Sequence, residues 1–382
     1  MAEKEEYVRA SEAHFEMGQV MQCSVYNENG YLLLKKGKVV TAGSQKDFLL
    51  EHGYILKSDF RFLEPVKKKK FRREEKTSKT NIFEIKNKWL GELYFLLLGD
   101  QRSKLLDFTP RILNLSVDIQ LQAKLQHDAL IASLQLDFEN HYGLVHALHC
   151  ATSSEMIGKS LGIGQIERLV SIAAALTHDI GIIKGQERLN FQKADMTSKE
   201  WAGIKKHPTE GVKILRKLGV DDQRWLSAVE HHHERLDGSG YLGLKAKKIS
   251  MQARILAVAD TYSAMVHHTV FRKENSGKKA LQTLYEGRNV LFDSDIVTRF
   301  IGEIGVFPPG SLVQLESEEI AVVTAMRKPT HQPDVVALIS AEGEQYEKPI
   351  PRQTRDKGYR IIGDEQLGEH RALFEEIEQL WS

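Results

Sequence analysis

Ser171 to Lys184 reads SIAAALTHDIGIIK. An apolar run of helical character ends in His178-Asp179, and Gly181 follows almost at once. A neutral imidazole beside a carboxylate at the end of a buried helix can bind a divalent metal, and two carboxylate oxygens can bridge a pair of ions. Such a pair also occurs as a capped helix end or a satisfied core hydrogen bond, so its meaning comes from the rest of the chain.

Histidine is unevenly placed around this stretch. Of the 15 histidines, eleven fall between His127 and His268. His146 precedes the apolar run. His207 follows it, ahead of Pro208 and Gly211. His232-His233-Glu234 opens a turn that continues through Asp237-Gly238-Ser239-Gly240-Tyr241. A second apolar run, Ala253 to Ala259, is expected to end as a helix at the carboxylate of Asp260.

The frame is a soluble multidomain chain. Its 382 residues suggest two or three domains. Hydrophobic content of 41% supports real cores, and a formal net charge of +1 gives no global argument for a nucleic-acid polymer or a membrane surface. Cys23 and Cys150 are the only cysteines, too few for a disulfide framework, which fits a reducing compartment. The charged start MAEKEEYVRA lacks an apolar signal core, and no apolar stretch has the length of a membrane span. A cytoplasmic location is expected.

Five segments follow from pattern. Residues 1–65 read as a small β-rich module. Val20 to Tyr26 and Tyr31 to Leu34 are its strands, Asn27 to Gly30 and Lys36-Gly37 its turns, and Lys46 to Glu51 a short helix ended by Gly53. Residues 66–80, with the run Lys67 to Lys70, read as an exposed charged linker. Residues 81–305 are helical, with Pro110 at a helix start and apolar recurrence at Ile112, Leu115, Ile119, Leu121 and Leu125. Residues 306–363 return to β-type runs at Ser311 to Leu315, Ile320 to Met326 and Val335 to Ser340. Residues 364–382 read as a terminal amphipathic helix with Leu367, Leu373, Ile377 and Leu380 on its apolar face.

The residues from Tyr142 to Phe300 resemble an HD-GYP domain, a branch of the HD phosphohydrolase superfamily that hydrolyses cyclic dinucleotides. The resemblance rests on His146, LTHDIG (176–181), KKHPTEGVKIL (205–215), HHERLDGSGY (232–241) and ARILAVAD (253–260), all in order and at the right spacing. It implies an all-α HD-type bundle flanked by the two β modules. It also implies a centre of two divalent transition-metal ions, with His146, His178, Asp179, His207, His232, His233 and Asp260 as ligands. Asp179 would bridge the ions, with His146, His178 and Asp260 on one and His207, His232 and His233 on the other. Such donors suit iron or manganese, with zinc or nickel as further choices. His178 and Asp179 are the implied catalytic pair, and Gly240, Tyr241, Arg272 and Lys184 the implied substrate contacts. Some members hold a third ion through a carboxylate one turn before the first histidine. That place is Tyr142 here, so two ions are expected.

The chain departs from the family where phosphate is held. Ile182 occupies the lysine position of HDxGK. Lys184, two residues on, faces away unless the helix has already ended. Leu242 replaces the proline of the GYP signature. Thr269-Val270-Phe271-Arg272 keeps only the second arginine of the family's Arg-Pro-Tyr-Arg stretch. Metal ligands stay while phosphate clamps go, which implies weakened substrate binding. Two function classes follow: a metal-dependent phosphodiesterase on cyclic di-GMP or a related cyclic dinucleotide, or a degenerate member that senses a nucleotide and signals as an adaptor. A phosphohydrolase on another phosphoester is a third. The expected partners are a cyclic dinucleotide, a protein bound through the loop around Tyr241 or the β modules, and a second copy of the chain.

Overall fold

The computed structural model describes residues 7–10, 21, 23–26, 32–34, 49–50, 53–56, 81–99, 107–137, 140–186, 197–266, 277–365 and 373–381. The chain divides into two compact units, residues 1–78 with 107–117, and residues 79–106 with 118–382.

In the first unit, strands β1 (Tyr7–Arg9), β2 (Val25–Tyr26), β3 (Leu32–Leu34) and β4 (Tyr54–Leu56) form an antiparallel sheet in the order β1-β4-β2-β3. Ile55 stands opposite both Val8 and Val25. It packs with Met21, Cys23, Val25, Leu34 and Leu49 in a small core. β1 was not legible in the sequence, because a three-residue strand at a charged start shows no alternation. Leu49 and Leu50 are helical, and Gly53 donates its N–H to the Leu49 carbonyl, as expected of a helix end. The Asn27 to Gly30 and Lys36-Gly37 turns, and the linker 66–80, lie outside the described residues.

Helices dominate the second unit. Asn81 caps α1 (Ile82–Leu93) by accepting from the Phe83 N–H, and the helix runs into a π turn at Tyr94–Leu98. Then come α2 (Phe108–Leu125), which starts in the first unit, α3 (His127–Gln135), α4 (Tyr142–Ser160), α5 (Gln165–Thr177), α6 (Ser198–Lys217), α7 (Gln223–His231), α8 (Met251–Val266), α9 (Gly277–Gly287) and α10 (Ser294–Ile304). On α2, Ile112, Leu115 and Ile119 are buried as expected, but Leu121 and Leu125 are exposed. The helical stripe that buries Ile119 turns away from both positions, and a list of apolar residues cannot show this.

α4 is the centre of the bundle, buried from Gly143 through Gly158 on all faces. It lies against α5 and α8. Its start is held firmly. Lys86 on α1 forms a buried ion pair with Asp137 at 2.6 Å and donates to the Ser133 carbonyl, and Asn140 clasps the same carboxylate. Further from the site, Ile157, Ile255, Val258, Tyr262, Leu284 and Phe300 join α4, α8, α9 and α10 in one apolar core.

The C-terminal strands β5 (Leu312–Leu315), β6 (Ile320–Ala325), β7 (Asp334–Ile339), β8 (Gln345–Gln353) and β9 (Ile361–Asp364) form an antiparallel sheet in the order β8-β7-β6-β5-β9. Three strands match the sequence expectation. β8 escaped it because QYEKPIPRQ is polar and carries Pro349 and Pro351, residues that an edge strand tolerates. The sheet docks on α3, where Asp128 accepts the Met326 N–H. The terminal helix α11 (Phe374–Gln379) is shorter than expected, and Asp364 belongs to β9 instead. Leu373 and Ile377 are buried; Leu367 lies outside the described residues. No helix among the described residues is long and apolar enough to cross a membrane.

Candidate metal centre

Five helices bring the seven expected ligand residues together. His146 comes from the middle of α4, His178 and Asp179 from the end of α5, His207 from α6, and His232 and His233 from the end of α7. Asp260 lies within α8. That helix does not end at the carboxylate but continues to Val266, because Tyr262 and Ser263 are buried too.

The imidazoles are aimed by carbonyl groups that their helices leave free. α5 ends at Thr177, and α7 ends at His231, so their last carbonyls have no helical partner. His178 Nδ1 donates to the Ala175 carbonyl at 2.7 Å, and His232 Nδ1 to the Val229 carbonyl at 2.7 Å. α6 achieves the same in mid-helix. Pro208 has no N–H, so the carbonyl four residues earlier, Ile204, loses its helical donor. His207 Nδ1 donates to it at 2.6 Å. A carbonyl can only accept, so in all three residues Nδ1 carries a proton, and Nε2 is left to coordinate a metal when the ring is neutral. Ser263 Oγ, 2.9 Å from His146 Nδ1, can accept in the same sense.

These Nε2 atoms converge. His146 and His178 Nε2 are 3.3 Å apart, and His207 and His232 Nε2 are 3.1 Å apart. Two imidazole nitrogens this close repel unless a proton or a metal ion lies between them. Asp260 Oδ1 is 3.1 Å from His146 Nε2 and 3.8 Å from His178 Nε2. Asp179 offers one oxygen to each side: Oδ1 lies 3.1 Å from His207 Nε2, and Oδ2 lies 3.6 Å from His178 Nε2. His233 Nδ1 is 3.6 Å from Asp260 Oδ2. Cys150 Sγ lies 3.7 Å from His146 Nε2. Donor atoms of three overlapping groups, His146-Cys150-His178-Asp260, His207-His232-His233 and His178-Asp179-His232, each fall within 4.8 Å of one another. Nitrogen and carboxylate donors in this arrangement suit a divalent transition metal.

The two carboxylates, His232 and His233 take the forms that metal binding needs, whereas His146 and His207 are raised despite their burial. Burial opposes charge on Asp179, yet the His178 and His207 imidazoles hold its carboxyl well below the usual range. Asp260 is held low against burial by His146, His233 and His178. Burial, reinforced by His233, His178 and His207, pushes His232 well below the ordinary imidazole value. Burial also brings His233 down to about 4. His207 is raised despite burial by its hydrogen bond to Asp179. Near neutral pH the two carboxylates are anionic and His232 and His233 neutral, the forms that bind metal.

Close packing keeps the two halves together. A Cβ on Gly181 would sit 2.3 Å from the His207 carbonyl oxygen and 2.9 Å from Gly211 N, so only glycine lets the turn after Asp179 touch α6. The loop at 238–244 is pinned by Glu234, buried below the histidine pair. Its Oε1 accepts the Leu242 N–H and its Oε2 the Leu244 N–H, each at 2.7 Å. Gly240 passes directly over this carboxylate, where a Cβ would be 2.5 Å from Glu234 Cα. The loop sets the Tyr241 ring 4.4 Å from that of His233.

The remaining expected residues are spread wider. α5 has ended before Ile182, so Lys184 does not face away. Both line a cleft of 610 Å³ with Gly181, Thr197, Glu200 and Ile204. Arg272 and Thr269 lie outside the described residues. Tyr142 stacks on His146, with ring centroids 5.6 Å apart, and burial raises its phenol, so it stays protonated. Sequence reasoning missed Gln186, which donates to Asp179 Oδ2 at 2.8 Å, as well as Ser263 and the pinning role of Glu234. Only Glu234, inside the HHERLDGSGY motif, carried a signal.

Residues 126–296 match the family model described as HD domain. The chain is 30% identical over 264 residues to a cyclic di-GMP phosphodiesterase of Pseudomonas aeruginosa, covering 67% of this chain and 62% of that protein. It is 27% identical over 185 residues to the cyclic di-GMP phosphodiesterase PdeB of Borreliella burgdorferi, covering 48% of each. It is 26% identical over 174 residues to 3'3'-cGAMP-specific phosphodiesterase 3 of Vibrio cholerae, covering 45% of this chain and 38% of that protein. The chain thus spans less than two thirds of the length of these curated relatives.

Proposed function

The chain is an HD-domain protein related to the HD-GYP cyclic di-GMP phosphodiesterases, and from that premise we propose that it is a metal-dependent phosphodiesterase that opens cyclic di-GMP or a related cyclic dinucleotide. His146, His178, Asp179, His207, His232, His233 and Asp260 are the proposed ligands of two divalent ions, iron or manganese. The observation that carries the reading is the convergence of paired Nε2 atoms on two anionic carboxylates. When bound, two such ions supply Lewis-acid activation of water and neutralise charge on a phosphodiester.

The chain's own groups do the positioning. Asp179, with one oxygen toward His207 and the other toward His178, is the proposed bridge and with His178 the proposed catalytic pair. Gln186 donates to the inner oxygen and limits rotation of that carboxylate. Tyr241 and Gly240, on the loop pinned by Glu234, are the proposed contacts to a base or ribose; the Tyr241 ring beside that of His233 supports this. Lys184 in the cleft after Asp179 is a proposed phosphate contact, and Arg272, outside the described residues, is another. The same Tyr241 loop is the proposed surface for a protein partner. Two free, buried cysteines support a reducing, cytoplasmic setting.

Ile182 favours a second reading. An alkyl group beside Lys184, where the family carries a lysine, weakens the proposed phosphate clamp, as expected of a sensor that binds a nucleotide without turnover. One experiment separates the two. Metal-loaded full-length protein is incubated with cyclic di-GMP and with 3'3'-cGAMP, and products are resolved by chromatography. Linear product that disappears after chelation supports the phosphodiesterase. Tight binding with no linear product supports the sensor.

A further inference from the structure

Cys150 belongs to none of the ligand positions implied by the family resemblance, yet it stands on the His146 face of α4. Four residues separate the two, one helical turn, and helical side chains lean toward the N-terminus, so the thiol reaches back toward the imidazole. Its Sγ lies 3.7 Å from His146 Nε2. His178 Nε2 is 3.3 Å and Asp260 Oδ1 3.1 Å from that same nitrogen. All four donor atoms fall within 4.8 Å of one another, and all four residues are buried.

These separations have a meaning. In a tetrahedral site with metal–nitrogen bonds of about 2.05 Å and a metal–sulfur bond of about 2.3 Å, nitrogen neighbours sit about 3.3 Å apart and a nitrogen–sulfur pair about 3.6 Å apart. The observed 3.3 Å and 3.7 Å match these two edges, while Asp260 Oδ1 lies wider, 3.8 Å from His178 Nε2. A buried thiol can also pack as a small apolar side chain. Here the sulfur instead points at the donor nitrogens, in the same i, i+4 relation that chelating residues use on one helix face.

We propose that Cys150 is a thiolate ligand of the ion held by His146, His178 and Asp260, giving one half of the centre a nitrogen, oxygen and sulfur donor set and leaving the other half with imidazoles and the shared Asp179 carboxylate. The assignment rests on the metal-centre reading above. Ion binding forms the sulfur–metal bond and releases the thiol proton to solvent, with no change of oxidation state. A soft donor makes this half selective. It disfavours manganese and magnesium and favours zinc, cobalt and ferrous iron. Within the choice between iron and manganese, the sulfur tilts the centre toward iron.

The test uses the full-length chain loaded anaerobically with cobalt(II). Thiolate bound to cobalt gives a charge-transfer band in the near ultraviolet that nitrogen and oxygen donors lack. The band is expected in the parent and in Cys23→Ser, and is expected to vanish in Cys150→Ser and Cys150→Ala. Those two variants should still bind cobalt, and their preference for zinc over manganese should fall at least about tenfold. Because a change at a buried position can disturb folding, the parent alone gives a second readout. X-ray absorption of its zinc-loaded form should show a sulfur scatterer at about 2.3 Å. Bound cobalt without the band, a band that survives Cys150→Ala, or a zinc shell of nitrogen and oxygen alone overturns the thiolate and leaves the metal centre standing. A chain that binds neither metal overturns both.

Discussion

Replacing Glu234 by glutamine isolates the part of the site that holds the Tyr241 loop. The carboxylate is buried, and each of its oxygens takes one backbone N–H, from Leu242 and Leu244, at 2.7 Å. Glutamine keeps the shape but has one acceptor oxygen, so its amide NH₂ must face a backbone N–H. One charge-assisted bond is lost, worth about 1.5–3 kcal/mol. Opening of the loop at 238–244 should become about 10- to 150-fold more frequent. The assay is native-state hydrogen exchange resolved at the Leu242 and Leu244 amides. Their protection should fall by that factor while amides in α4 and α5 keep theirs. Unchanged exchange at both amides would refute the pinning role.

Other outcomes follow from the same geometry. Gly181→Ala places a Cβ 2.3 Å from the His207 carbonyl oxygen and must push α6 from Asp179, so denaturant unfolding should show a loss of about 1–3 kcal/mol with weakened metal binding. Ile182→Lys adds a cation beside Lys184, and kcat/KM on a cyclic dinucleotide should rise about 10- to 100-fold at unchanged metal content. In the C-terminal sheet, hydrogen bonds from Arg352 hold Glu319 down at about 2 against an ordinary 4.5 despite the cost of its burial. A lowered carboxyl stabilises above its unfolded value and loses that contribution as pH falls through the folded one. Melting temperature should therefore drop between pH 4.5 and 2, and Glu319→Gln should flatten that slope.

The His178-Asp179 pair could be read from the chain as a candidate metal site, and the rest of the candidate donor set came from the resemblance to the HD-GYP family. His178-Asp179 does sit at a helix end, and His232-His233 does open a turn. The device that aims the imidazoles was not legible. It depends on which carbonyls a helix leaves free, and at His207 on a proline that frees one in mid-helix. Gln186 and Ser263 were also missed, because only folding brings them to the donor atoms, whereas Cys150, one helical turn after His146, was missed because it matches no ligand position of the family. Elsewhere, the apolar strands β5, β6 and β7 announced themselves, whereas the polar edge strand β8 and the short β1 lacked the pattern that burial on one face imposes.

The central claim is that this donor set holds two ions. It is tested most directly by elemental analysis of the full-length chain after anaerobic reconstitution with iron(II) or manganese(II) and removal of unbound metal. Two ions per chain are expected in the parent, and Asp179→Ala, which removes the shared carboxylate, should lose both. A folded parent chain that retains no metal, or an Asp179→Ala chain that retains two ions, would contradict the account.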